Sequence, residues 1–98
     1  MRGGYLMILR LPGPAGQKLL NYVSQCLRFD PPQDSYKVEY VIFCLLCGIR
    51  VPRRSRFFRK AEQALIATAC DGDLEPEVRE LASDILKSLG GVGKDAAQ

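Results

Sequence analysis

Ninety-eight residues suffice for one compact domain and leave too little chain for two. With 47% hydrophobic and 26% charged residues, the composition is that of a folding chain and argues against disorder throughout. Histidine is absent, which excludes Cys-His and Ser-His-Asp catalysis and removes the commonest general base and metal ligand, so a non-enzymatic protein is expected.

The net charge of +3 conceals an uneven distribution. Arg50, Arg53, Arg54, Arg56, Arg59 and Lys60 place six positive charges in eleven residues that contain no acid. From Asp71 to Asp84 the sign reverses, with six acids against the single base Arg79. Local charge, not the total, is therefore the guide to partners.

Residues 1–11, MRGGYLMILRL, form a short apolar arm compatible with a helical turn or an extended segment. Arg10 interrupts its apolar run and Pro12 closes it, so it is shorter than the apolar region of a secretory signal. The chain then turns at Pro12-Gly13-Pro14. Pro14 suits the first position of a helix, where its missing N–H would be unpaired in any case. Leu19, Leu20, Val23, Cys26 and Leu27 recur at helical spacing and predict a helix over 14–28. Asp30-Pro31-Pro32 ends it, because a residue before proline is pushed out of the helical region.

The most apolar stretch follows. Ten consecutive residues from Tyr40 to Ile49 carry no charge, and among them only Gly48 lacks a hydrophobic side chain. That run is about half the roughly 20 residues needed to span a bilayer. Asp34 or Ser35 is a suitable N-cap, and Gly48 with Ile49 behind it matches a helix closing on glycine. The prediction is a helix over 35–47, apolar nearly all round and therefore central, with the other helices packed about it.

Ser55 is the candidate N-cap of a third helix over 55–70, with Phe58, Ala61, Leu65, Thr68 and Ala69 on one stripe. Arginines at its beginning oppose the helix dipole, which favours acids there by about 0.3–1 kcal/mol. Asp71-Gly72-Asp73 makes a turn, and Pro76 opens a fourth helix over 76–89 carrying Val78, Leu81, Ala82, Ile85 and Leu89. Gly90 is expected to stop it, leaving residues 90–98 as a flexible tail. The expected architecture is thus an all-α, single-domain bundle of four helices within residues 1–89.

Cys44-Leu45-Leu46-Cys47 is a C-x-x-C, and Cys26 and Cys70 would complete four thiolates for zinc. The pair lies in the most apolar segment rather than in polar turns, however, so packing is the favoured role for all four thiols. Buried, reduced cysteines point to a reducing compartment, cytoplasmic or nuclear. No metal or cofactor is expected.

The basic run RVPRRSRFFRK carries the functional signal. Arginine forks match phosphate oxygens, and Phe57 is less constrained by the helical register than Phe58, which belongs with Ala61 and Leu65. The candidate nucleic-acid-binding set is Arg50, Arg53, Arg54, Arg56, Phe57, Arg59 and Lys60. Three readings compete for this run: a solvated helix shoulder balanced by the acidic segment, a site for RNA or DNA backbone with little sequence specificity, and a surface for anionic lipid or nuclear import. The nucleic-acid reading is preferred. Its rival is a protein–protein adaptor or homodimer using apolar helix faces left exposed after folding, since a chain this short buries only part of its surface.

Overall fold

The structure is a computed structural model that describes the backbone of residues 12–97 and the side chains of residues 12–89; the expectations for the N-terminal arm and for Gln98 lie outside these residues. The described chain forms four helices and no strand: α1 (Pro14–Cys26), α2 (Asp34–Leu46), α3 (Arg56–Cys70) and α4 (Pro76–Ala97). α1 and α3 each pack against all the other helices, whereas α2 and α4 stand on a diagonal with little mutual contact.

Each helix contributes one apolar stripe to a common core. Leu19 and Val23 come from α1, Val38, Val41 and Ile42 from α2, Phe58, Ala61, Ala64 and Leu65 from α3, and Val78 and Ala82 from α4. Burying a side chain of the Val, Leu, Ile or Phe kind contributes about 1.5–3 kcal/mol, so these positions supply the main stabilisation. Thr68 is fully buried among them, and its hydroxyl is satisfied by donating to the Ala64 carbonyl at 2.7 Å. Gly16 is buried where α1 meets Pro12 and the end of α2; a Cβ there would lie 2.8 Å from Pro12 Cβ and 3.5 Å from Leu46 Cδ1.

The helix ends follow local chemistry. Ser55 caps α3, its Oγ accepting from the Phe57 amide at 3.1 Å. Gly48 closes α2 at φ 81°, with the Gly48 amide donating to the Leu45 carbonyl and the Ile49 amide to the Cys44 carbonyl. This paired closure needs a left-handed residue, which glycine supplies without a Cβ penalty.

Four expectations are corrected. α2 is not the surrounded centre, for Tyr36, Tyr40 and Phe43 remain exposed along one side of it; an all-round apolar composition cannot say which sides have neighbours. α1 ends at Cys26 rather than residue 28, with Leu27 extended so that Phe29 can tuck against the core. Neither Asp34 nor Ser35 caps α2. The amides of Asp34, Ser35 and Tyr36 donate instead to the carbonyls of Pro31, Pro32 and Gln33, which leaves the Asp34 carboxylate free for another use. Finally, α4 does not stop at Leu89: its backbone stays helical to Ala97. Glycine inside a helix costs about 1 kcal/mol relative to alanine, but it ends a helix only where the chain turns into the left-handed region, as at Gly48.

The cysteines divide as well. Cys44 and Cys47 are buried, but Cys26 and Cys70 are exposed, contrary to the expectation of four packing thiols, and all four are free. Both exposed residues are the last of their helices. Among the described residues no three Cys, Asp or Glu side chains gather into a metal-binding group, and no helix is long and apolar enough to cross a membrane.

Candidate functional site

The basic run occupies the loop from α2 to α3 and the first turn of α3. The structure divides its members between structural and unengaged roles. The division turns on Asp34, a carboxylate buried at the first position of α2. Lys60 Nζ donates to Asp34 Oδ2 at 2.6 Å and to the Asp30 carbonyl at 3.0 Å, and Arg56 Nη2 lies 3.4 Å from both Asp34 oxygens. The hydrogen bond from the Lys60 ammonium holds Asp34 below the usual carboxylate range, with Arg56 adding to the effect against an opposing desolvation. Asp34 thus offsets the unfavourable meeting of arginine and helix dipole at the start of α3.

Arg56 also stacks on Phe57, 4.8 Å from the ring centroid, and Lys37 approaches the same ring at 5.1 Å. Such contacts are worth about 0.5–1 kcal/mol at exposed sites. Phe57 is half-buried and packs against the core. Less constrained by helical register than Phe58, it is nonetheless held between two cations. Arg53 reaches across to α4, donating to the Leu89 carbonyl at 2.6 Å with its guanidinium 5.7 Å from the Phe58 centroid.

Arg50, Arg54 and Arg59 remain. All three are exposed, and among the described residues none makes an ion pair or side-chain hydrogen bond. Arg50 and Arg53 border a cavity of about 460 Å³ with Leu45, Ile49, Val51 and Phe58. On the other side of α3, Arg59 and Lys60 border a groove of about 500 Å³ with Leu27, Phe29 and Arg28. Two cations of this surface, Arg28 and Lys37, lie outside the basic run and were missed in the sequence, where nothing marks isolated basic residues on α2 and beyond the end of α1 as neighbours of α3.

The acidic segment faces elsewhere. Lys18 of α1 bridges Glu75 at 2.7 Å and Glu77 at 3.2 Å. Its hydrogen bond lowers the Glu75 carboxyl and, reciprocally, raises the Lys18 ammonium. Tyr22 donates to Asp71 Oδ2 at 2.8 Å, and the Asp73 amide donates to Asp71 Oδ1 at 2.9 Å. These two bonds lower Asp71, while burial and the Asp71 contact push the Tyr22 phenol up to about 12. Among the described residues, therefore, the acid that pairs with the basic run is Asp34 and not the 71–84 segment.

Compared with known proteins, the chain matches no family model, no curated protein and no solved structure.

Proposed function

We propose that this protein is a non-enzymatic binding protein whose basic face contacts nucleic-acid backbone with little sequence specificity. One observation carries the reading: among the described residues the cationic surface from Arg50 to Lys60, extended by Arg28 and Lys37, forms ion pairs with one carboxylate, the buried Asp34, while Glu75, Glu77 and Asp71 are engaged by Lys18 and Tyr22. An excess of exposed guanidinium groups favours phosphate and releases its counterions on binding.

The test is a mobility shift with RNA and DNA oligonucleotides at two salt concentrations. Arg50, Arg54 and Arg59 are replaced together by alanine, since none of them holds the fold together. Loss of three phosphate contacts should lower the slope of log affinity against log salt by about 2–3. Unchanged affinity at low salt would sink the proposal.

Exposure of Tyr36, Tyr40, Phe43, Ile49 and Ile66 favours a second reading, an adaptor or homodimer joined through these side chains. Sedimentation at several protein concentrations tests it; a constant monomer mass rejects the homodimer. The four free cysteines are in keeping with a reducing, cytoplasmic or nuclear setting.

A further inference from the structure

Tyr36 and Tyr40 are 75% and 68% exposed, an unusual state for two large rings one helical turn apart. Phe43 continues the same side of α2 at 37% exposure. Lys37 borders this stripe, adjacent to Tyr36 in sequence and three residues before Tyr40, and its ammonium lies over Phe57 beside the Arg56 guanidinium. The aromatic stripe is therefore continuous with the cationic surface along the Lys37 edge. Glu39 lies on the opposite flank, so a polyanion is directed to the Lys37 side.

We infer that Tyr36 and Tyr40 form a stacking platform for the unpaired bases of a single-stranded nucleic acid, with Lys37 and Arg56 taking its phosphates. The inference rests on the nucleic-acid reading of the basic face and adds the strand state of the ligand. Two physical points favour a single strand. Tyr36 and Tyr40 are separated by about 6 Å along the helix axis, wider than the roughly 3.4 Å spacing of stacked bases along one duplex strand, so bases taken up by both rings must be unstacked. In a duplex, moreover, the base faces are already covered by neighbouring pairs. Aromatic rings beside a cationic track are the usual means of holding single strands without sequence preference.

The experiment measures affinity for one oligonucleotide as a single strand and annealed to its complement, using wild type, Tyr36→Ala/Tyr40→Ala, Tyr36→Phe/Tyr40→Phe and Arg50→Ala/Arg54→Ala/Arg59→Ala. Both tyrosines are exposed, and circular dichroism checks that the variants keep their helices. The expected result is a single-strand affinity about tenfold or more weaker in the double alanine variant, retained in the phenylalanine variant, with duplex affinity unmoved by either. Equal weakening of both forms, or no weakening, overturns the platform; if the triple arginine variant still loses binding, the basic-face reading survives. Absence of binding to any oligonucleotide rejects both. Self-association that disappears in the double alanine variant, without nucleic-acid binding, also overturns the platform and makes the stripe a protein interface.

Discussion

The Lys60 ammonium sits 2.6 Å from Asp34 Oδ2 and fixes the start of α3 against the start of α2. The carboxylate is nearly sealed, with its side chain 5% exposed, while the lysine is 31% exposed. Removing either partner leaves the other poorly matched, and an unpaired carboxylate at that depth is the worse outcome.

Asp34→Asn should therefore lower Tm by several degrees at neutral pH and flatten the acid limb of stability. The direction follows from the folded-state pKa, which lies below the ordinary carboxylate value. A depressed pKa contributes stability that is fully present above the unfolded value of about 3.9 and is lost as pH falls through the folded value. Asp71 and Glu75 are lowered too and act in the same acidic window, so acid sensitivity should be reduced in the variant and not abolished. Thermal melts from neutral pH down to acid, wild type against variant, measure the difference; parallel curves would rule out this role.

The members of the basic run should separate by what they do. Lys60→Ala should destabilise because Asp34 then keeps only the longer Arg56 contact at 3.4 Å. Arg59→Ala touches no described partner and should change stability by no more than about 0.5 kcal/mol. On oligonucleotide binding, Arg59→Ala should reduce the salt slope by about 0.7–0.9, the contribution of one phosphate contact. Equal melting temperatures for the two variants would contradict the division described for this surface.

Much of this fold could be read from periodicity and end signals. The spacing of Val78, Leu81, Ala82 and Ile85 marks α4, and Ser55 and Gly48 mark helix ends whose bonds form as expected. What sequence could not supply were contacts across the bundle. Asp34 looks like an N-cap until the Pro31–Gln33 turn satisfies the first amides of α2, and only then is its carboxylate available to residues 22 and 26 positions away. The same limit hid the role of Phe57. Helical register separates it from Phe58, but not the fact that Lys37 of another helix lies against it. The exposed aromatics of α2 were misread for a related reason, because hydrophobic composition reports what a helix could bury and not what is present to cover it.

Gly48 provides a test of backbone rather than packing. Its φ of 81° is unfavourable for L-residues, yet beyond its immediate chain neighbours no atom lies within 4 Å of a Cβ built there. Gly48→Ala should therefore cost about 1–2 kcal/mol from conformation alone, a fall in Tm on the order of 4–8 °C per kcal/mol for a domain of this size. D-alanine at the same position, introduced by chemical ligation, prefers the left-handed region and should restore the melting temperature. If both enantiomers destabilise equally, crowding is responsible and the conformational account fails.

Tyr22 and Asp71 join the middle of α1 to the end of α3 by a bond that depends on the phenol proton. Burial and this bond together raise the folded pKa to about 12 from an ordinary 10.0, so the protonated phenol contributes stability that is fully present below pH 10 and is lost as pH rises from 10 through 12. Ultraviolet titration of tyrosinate should show a late-ionising component in wild type that is missing in Tyr22→Phe. Alkaline melts should converge: wild type is the more stable below pH 10, and its advantage shrinks over the next two units. Because the hydroxyl is only partly buried and the ring is retained, the neutral-pH difference should stay near the 0.5–1.5 kcal/mol of an ordinary hydrogen bond. An advantage over Tyr22→Phe that persisted unchanged above pH 12 would show that it does not depend on the phenol proton, and would overturn this account.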